Sequence, residues 1–233
     1  MNTLGVRVVV GPVDLRRVGE FRYRIHVAEK GEPAADAQNA DRTLIDPADR
    51  RANSTVFWIE EDGEIAGTVR VEIFSPPYEC APEYLKLETF DFADPPGIVY
   101  LSRLMVAPGP LGARVTPALC FTGFQLGLVK DCRLGVLTCK PEWVELFESY
   151  GYAAYGNRFL HAESDWKVPM AILGEAEYVQ PYTPSLATWL ARHRPDSRYL
   201  DQFRHRVARF RDEAAPLPAS SEDALARPRR EVS

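Results

Sequence analysis

The feature that most constrains the fold is a pair of strand-like runs joined by a two-residue turn. The runs lie in STVFWIEEDGEIAGTVRVEIF, residues 54–74, and the turn is Asp62-Gly63. Asp-Gly between β-branched and aromatic residues predicts a β-hairpin, because both turn residues must accept positive φ. An antiparallel strand pair is therefore expected, and the flanking elements must extend this sheet or pack against it.

Strand-like and helix-like segments alternate on both sides of the hairpin. Runs of Val, Ile and aromatic residues predict strands, and apolar residues at helical spacing predict helices. In chain order the predicted elements are a strand (Gly5–Val10), a helix with Asp14 as its N-cap (Asp14–Glu29), a long loop (30–53), the hairpin, a second loop (Ser75–Gly97), a strand from Val99, a buried helix from Thr116-Pro117 to Lys130, a strand (Arg133–Cys139), a helix (Glu142–Tyr150) and two strands (Tyr152–Phe159 and Trp166–Leu173). This order predicts an α/β (α+β) domain around one mixed sheet.

The bulk composition excludes several classes of protein. With 233 residues, 45% hydrophobic and 26% charged, the chain has the composition of a globular protein with one substantial core. The net charge of −5 argues against a nucleic-acid partner. The chain lacks a run of about 18 apolar residues and a secretion signal, so a cytoplasmic protein without a membrane span is predicted. Four cysteines and four histidines have no ligand spacing, which predicts reduced thiols and no metal site.

The character of the sequence changes near residue 181. Residues 1–181 are predicted to form the main domain, and residues 182–213 a helical C-terminal extension. An apolar stripe at helical spacing runs along this extension: Leu200, Phe203, Val207 and Phe210. Residues 214–233 carry few large apolar groups, which predicts a disordered tail.

A junction between a strand and a helix predicts an anion site. The segment VYLSRLMVAPGPLGARVTPALC, residues 99–120, passes from an apolar strand through a Gly/Pro-rich turn into the helix. The N-terminus of a helix offers unpaired backbone N–H groups and a partial positive charge, which suit a phosphate.

Four segments follow one another along the chain: the Asp-Gly hairpin, SRLMVAP (102–108), LGVLTC (134–139) and LFESYGY (146–152). Their order resembles the GNAT acyltransferase superfamily over about residues 5–175. The resemblance implies a mixed, mostly antiparallel twisted sheet flanked by helices, with an acyl thioester held by the fourth strand and the helix after it. Of the superfamily's R/Q-x-x-G-x-G/A loop only Gly112 is clearly kept. The residues implied to bind the phosphopantetheine arm are Met105, Val106, Gly112, Ala113 and Arg114.

Five shorter motifs also occur in a set order: Arg22 with Glu29, Asp46 with Asp49, Gly67-Thr68-Val69-Arg70, Ser102 with Arg103, and Val168-Pro169-Met170. This order is similar to that of the autoinducer-synthase branch, the acyl-homoserine lactone synthases and long-chain N-acyl amino acid synthases. One position departs from the pattern. Where the branch has a glutamate three residues before the arginine, this chain has Tyr100, and a phenol with an ordinary pKa of about 10 is a poor base.

The resemblance implies a division of roles among these residues. Tyr100, Ser102 and Arg103 are the expected catalytic residues, and the backbone amides of Met105 and Val106 are the expected donors to the developing oxyanion. The set implied to bind the acceptor substrate is Arg22, Asp46, Asp49 and Arg70. Arginines of this kind suit a carboxylate on the acceptor. The alternative is that these charged residues only form an ion-pair network that holds a loop to the sheet.

The leading functional hypothesis is an N-acyltransferase that uses a phosphopantetheine thioester. The acyl group would come from acyl carrier protein or CoA as co-substrate and would go to the amine of an amino acid or related small metabolite, with no permanently bound cofactor. Two other functions stay open: a non-catalytic module that binds acyl thioesters or carrier proteins, and an acyl-homoserine lactone synthase, which Tyr100 disfavours.

An acyl carrier protein is the candidate macromolecular partner. Residues 192–211 contain seven arginines against two aspartates, and carrier proteins are generally acidic. This segment is therefore a candidate docking surface, with ordinary solvated helix charge as the alternative.

Overall fold

The structure, a computed structural model, describes residues 5–29, 41–161 and 165–213. The predicted hairpin is confirmed, because β2 (Ser54–Glu61) and β3 (Glu64–Phe74) pair antiparallel. The turn residues Asp62 and Gly63 have φ angles of 52° and 84°. Positive φ at both central residues is what a two-residue turn needs to match the twist of the strands.

The described strands form one sheet in the order β1-β2-β3-β4-β5-β8-β6, with β7 paired to β8. The strands other than the hairpin are β1 (Val6–Val8), β4 (Gly97–Val106), β5 (Cys132–Cys139), β6 (Ala153–Ala154), β7 (Phe159–His161) and β8 (Asp165–Leu173). Among the described strands, β4 and β5 are parallel and the other pairs are antiparallel. The predicted mixed, mostly antiparallel sheet is confirmed.

Helices flank this sheet. They are α1 (Pro12–Tyr23), continued by a wider helical turn (Arg24–Glu29), α2 (Pro110–Val129), α3 (Val144–Ser149), α4 (Ala176–Val179), α5 (Pro184–His193) and α6 (Leu200–Glu213). Short 3₁₀ turns occur at Pro47–Arg50, Glu83–Leu85, Leu87–Phe90 and Pro141–Trp143. The sequence did not predict α4. Part of the predicted long loop, residues 30–40, lies outside the described residues.

The predicted N-cap of the first helix is wrong. Gly11 is the N-cap of α1, and Asp14 is the third helical residue. Pro12 takes the first helical position, where its fixed φ suits the helix and its missing N–H costs nothing. The Asp14 carboxylate still accepts a hydrogen bond from the Val10 amide, at 3.1 Å.

The predicted start of α2 at Thr116-Pro117 is also wrong. The helix begins two turns earlier at Pro110, after Gly109, whose φ is 81°. Thr116 lies inside the helix, and its hydroxyl donates to the Gly112 carbonyl at 2.9 Å. Residues 112–114 therefore belong to the first turns of α2 and not to a loop before it.

The predicted strand Tyr152–Phe159 is wrong as a single element, because it divides into β6 and β7. Pro169 of β8 explains the break. The Tyr155 amide donates to the Pro169 carbonyl at 3.2 Å, but proline has no N–H to return the bond. Pairing between β6 and β8 ends there.

One face of the sheet is covered by α2. Its buried residues pack on Val71 of β3 and Val99 of β4. A Cβ on Gly127 would lie 2.4 Å from the Val99 side chain, so glycine lets the helix lie directly on the strand. This contact fixes α2, and with it the first turn of the helix, against β4.

The other face is covered by α1, the segment 75–96 and α6. Leu200, Phe203 and Val207 of the predicted apolar stripe are buried on α6, and Phe210 is half-buried. The division of the chain at residues 181 and 182 stays a prediction, and the predicted tail 214–233 lies outside the described residues. None of the helices in the described part of the chain has the length and apolar character needed to cross a bilayer.

Candidate active site

The sheet opens between its two central strands. β4 and β5 are paired from Gly97 to Leu101, whose partner on β5 is Leu137. Beyond this point β4 pairs only with β3, and β5 pairs only with β8. Residues 102–106 and 138–139 therefore border a gap that exposes backbone groups at the middle of the sheet.

A β-bulge lies on β4 beside this gap. Thr68 and Arg70 of β3 face Met105 and Ser102 of β4. The two β4 residues between these partners, 103 and 104, therefore lie opposite the single β3 residue Val69. Arg103 has a φ of 51°, a conformation that is uncommon for a residue other than glycine. A bulge bends its strand and increases its twist, which helps β4 to leave β5.

The amide of Val106 is directed towards the gap. The Ala107 amide donates to Ala66 of β3 at 2.9 Å, so it points the other way. Because successive amides of a strand alternate in direction, Val106 N–H points away from β3. The gap thus has a backbone donor at one wall.

The first turn of α2 lies at the same end of β4. A Cβ on Gly112 would lie 2.1 Å from the Ala107 carbonyl oxygen, so only glycine permits this approach. The amides of this turn carry the partial positive charge of a helix N-terminus. Arg114 is exposed beside them, and its guanidinium lies 3.8 Å from the Glu61 carboxylate.

Six of the predicted site residues meet in a buried charged cluster on the face of the sheet opposite α2: Arg22, Asp46, Asp49, Arg70, Ser102 and Arg103. Asp46 and Asp49 cap the Pro47–Arg50 turn reciprocally, each side chain accepting the other's backbone N–H. This geometry explains why the two aspartates stand three residues apart.

Asp46 is the centre of the cluster. It accepts two hydrogen bonds from Arg103, at 2.6 and 2.7 Å, and one from Arg70 at 2.5 Å. Burial alone would raise the pKa of Asp46, but the hydrogen bonds and charges of Arg103 and Arg70 outweigh it and lower the pKa to about 2. Asp46 therefore ties the segment before β2 to both β3 and β4.

Arg22 and Asp49 form the deepest pair, joined at 2.8 Å with both side chains at 0% exposure. Burial lowers the pKa of Arg22, and the charge of Asp49 opposes this effect. Within the described chain, Nε and Nη2 of Arg22 have no hydrogen-bond acceptor. The pair acts within the network and does not reach solvent.

Tyr100 lies on the same face of β4, with its hydroxyl 3.0 Å from that of Tyr84. Burial raises the pKa of Tyr100 well above its ordinary value, and the pKa of Tyr84 is raised as well. Both phenols therefore stay protonated near neutral pH and can donate hydrogen bonds but cannot act as bases.

Glu72 is a member of the cluster that sequence reasoning missed. Its Oε2 accepts from Arg70 Nε at 3.1 Å and from Ser102 Oγ at 3.4 Å. The available signal was the spacing: Arg70 and Glu72 are two apart in an otherwise apolar strand, so they share one face and can pair.

The buried cysteines take no part in this cluster. Burial raises the pKa of Cys120, Cys132 and Cys139 to about 12, which makes the thiols unreactive. Among residues 5–29, 41–161 and 165–213, no group of three or more potential metal ligands is assembled.

The fold and site together define a class of protein. A mixed sheet that opens between its parallel central strands, with a bulged strand leading into a helix N-terminus, is the fold of GNAT-type acyltransferases. The chain belongs to the N-acyl amino acid synthase FeeM family, whose sequence profile matches residues 17–172. It is accordingly an N-acyltransferase. Among curated proteins no match to the chain is found.

Solved structures share this fold at low sequence identity. FeeM, an N-acyl amino acid synthase from uncultured soil microbes, has a TM-score of 0.60 and 13% identity, covering 80% of this chain and 98% of its own. MesI, a CoA-dependent acyl-homoserine lactone synthase, has a TM-score of 0.55 and 20% identity, covering 83% and 96%. BjaI, another such synthase, solved with SAM and isopentyl-CoA, has a TM-score of 0.51 and 15% identity, covering 77% and 81%.

Proposed function

We propose that the chain transfers an acyl group from a phosphopantetheine thioester to the amine of an amino acid or a related small metabolite. The observation that carries this proposal is the gap between β4 and β5, with the Val106 amide directed into it. A thioester carbonyl placed there accepts a hydrogen bond from this amide, which strengthens as negative charge develops on the oxygen. The phosphate of the donor then lies near the first turn of α2 and Arg114.

The charged cluster supplies the acceptor side of the proposal. Arg103 is the most exposed guanidinium of the cluster, at 27% of its side chain, against 10% for Arg70 and 0% for Arg22. We assign Arg103 to bind the carboxylate of an amino acid acceptor. The rest of the network holds the Arg103 side chain in position: Arg22, Asp46, Asp49 and Arg70. Ser102 lies beside it where the strands part, and Tyr100 contributes as a hydrogen-bond donor.

The identity of the acyl carrier is the second part of the proposal. MesI and BjaI are CoA-dependent, whereas the arginines of residues 192–211 suggest a carrier protein. In the structure these arginines have acidic neighbours within the chain: Arg204 lies 2.8 Å from Glu177, and Arg211 lies 3.8 Å from Glu148. This internal pairing favours CoA as the donor, with a carrier protein as the alternative.

The experiment that tests this function combines decanoyl-CoA or decanoyl-carrier protein with the purified chain and a mixture of amino acids. We expect release of free thiol together with an N-decanoyl amino acid, detected by mass spectrometry. A parallel reaction with S-adenosylmethionine as the amine tests for acyl-homoserine lactone formation. Binding of the thioester without turnover of any amine would contradict the proposal.

Two substitutions at Val106 test the gap itself. Val106→Pro removes the amide donor, and Val106→Ala is the matched control that keeps it. We expect the proline variant to lose about 100-fold or more in kcat, as other enzymes do on loss of an oxyanion donor, and the alanine variant to stay near wild type. Equal activity of two folded variants would exclude this amide from catalysis.

A further inference from the structure

Glu72 is the one carboxylate of the charged cluster to which the proposed reaction has given no role. It lies on β3 between Ser54 of β2 and Tyr100 of β4, which are its partners in the two neighbouring strand pairs. Partners across a sheet project from the same face, so the three side chains are neighbours. The Glu72 side chain is 3% exposed.

Hydroxyl groups flank Glu72 on both sides. Ser102 Oγ donates to Oε2 at 3.4 Å, and Arg70 Nε holds both groups, at 3.0 Å from Ser102 Oγ and 3.1 Å from Oε2. On the β2 side, the Ser54 hydroxyl is buried and has no hydrogen-bond partner among the described residues. A buried hydroxyl in that state can bind a polar group brought beside Glu72.

The reaction needs a proton acceptor, because only an unprotonated amine can attack a thioester. The phenols of Tyr100 and Tyr84 cannot serve, since burial raises the pKa of each. Asp46 is held ionised by two arginines, which lower its pKa to about 2, so it binds a proton poorly. Asp49 is enclosed with Arg22 at 0% exposure.

We propose that Glu72 is the proton acceptor of this reaction and that Ser102 relays the proton to it. The inference rests on the proposed function. Ser102 is half-buried and is the first residue of β4 beyond its pairing with β5, so its hydroxyl connects the opening of the sheet to the buried carboxylate.

The acceptor nitrogen loses two protons in this reaction. The ammonium group of the acceptor gives one proton to Ser102 Oγ, whose own proton passes to Glu72 Oε2. The nitrogen lone pair then forms the C–N bond at the thioester carbon, and the C–S bond breaks with its electron pair on sulfur. The thiolate takes the proton held by Glu72, and the second proton lost from nitrogen goes to water.

The charges around Glu72 come from several elements. Arg70 on β3 donates to it, and Arg51, from the segment before β2, lies 3.6 Å from Oε1. The phenols of Tyr100 on β4 and Tyr84 on the segment 75–96 are neutral neighbours. The groups that face Glu72 are therefore two arginines and two neutral phenols.

The test compares wild type with Glu72→Gln, using decanoyl-CoA and the amino acid that wild type accepts, from pH 6 to pH 10. We expect kcat to fall by about 100-fold or more at neutral pH, which is a common contribution of a general base, with the KM for decanoyl-CoA changed by less than about twofold. The deficit should shrink as pH rises, because the amine then loses its proton without help. Glu83→Gln, at an exposed carboxylate paired with Lys86, is the matched control and should match wild type.

Methoxyamine separates a base from a structural support. This amine is unprotonated at neutral pH, so Glu72→Gln should use it within a few-fold of the wild-type rate. Adding Tyr100→Glu to Glu72→Gln returns a carboxylate one strand away and should recover part of the activity. An equal loss with both amines, or full activity of folded Glu72→Gln, would overturn the role of Glu72. A folded wild-type protein inactive with every amine would instead overturn the proposed function, and this role with it.

Discussion

At the scale of single residues, Asp46 links three parts of the chain that are distant in sequence. Its carboxylate bridges Arg70 of β3 and Arg103 of β4 while capping the Pro47–Arg50 turn. Each oxygen accepts a charge-assisted hydrogen bond, and such bonds are about twice as strong as neutral ones. The conformation of the bulge therefore depends on the ionised form of one aspartate.

This dependence predicts a pH effect on stability. The pKa of Asp46 falls from an ordinary 3.8 to about 2 on folding, so the ionised group stabilises the native state above about pH 4, and that contribution is lost as the pH falls towards 2. We expect Asp46→Asn to reduce the free energy of unfolding in urea by about 2 kcal/mol more at pH 7 than at pH 2. Asp41→Asn, at an exposed position of the same segment, is the control. A difference between wild type and Asp46→Asn that does not change with pH would contradict this account.

The sequence predicted most members of the charged cluster but not their contacts. The motif order shared with the autoinducer-synthase branch identified Arg22, Asp46 and Arg70, and for Arg70 its place in an apolar strand also indicated a buried partner. The sequence could not assign each arginine to its aspartate. Arg70 and Asp46 are 24 residues apart, Arg22 and Asp49 are 27 residues apart, and each pair meets only after folding. Glu72 belongs to no motif and was not predicted, and its spacing from Arg70 was the signal that could have identified it.

At the scale of elements, the strand β4 and the helix α2 together form the proposed donor site. The hairpin, the central strands and the buried helix were predictable from turn residues and periodicity. The bulge on β4 was not, because a bulge depends on the register of two strands and Arg103 gives no glycine signal. The start of α2 was missed because Pro110 and Pro117 are both compatible with a first helical turn.

Gly112 sets the distance between these two elements. Gly112→Ala would place a Cβ 2.1 Å from the Ala107 oxygen, against backbone that cannot rotate away. We expect the first turn of α2 to move, with the KM for decanoyl-CoA raised about tenfold and the free energy of unfolding lowered by about 1–3 kcal/mol. Gln125→Ala, at an exposed position further along α2, is the control and should change neither quantity. Wild-type KM in Gly112→Ala would show that donor binding does not depend on this turn.

At the scale of the whole molecule, the C-terminal helices close one face of the sheet and carry most of the arginines of the predicted docking surface. The stripe Leu200, Phe203 and Val207 predicted the buried face of α6. The sequence could not show that arginines on the outer face have acidic partners on other elements, such as Glu177 beside Arg204. Such exposed pairs contribute about 0–1 kcal/mol each, so a stronger acidic partner can still displace them.

Charge reversal on α6 distinguishes a docking surface from ordinary helix charge. Arg204→Glu combined with Arg209→Glu changes two exposed positions and leaves the half-buried Arg206 in place. If a carrier protein docks here, kcat/KM for its decanoyl form should fall at least about tenfold at low salt and less at high salt, because exposed charges are screened. The value for decanoyl-CoA should not change, since CoA needs only the gap and the start of α2. Because internal pairing favours CoA, we expect the double variant to change kcat/KM for the two donors by the same factor. The control Arg16→Glu, on the outer face of α1, should also affect the two donors equally. A selective loss with the carrier protein would make α6 its docking surface and reverse the preference for CoA.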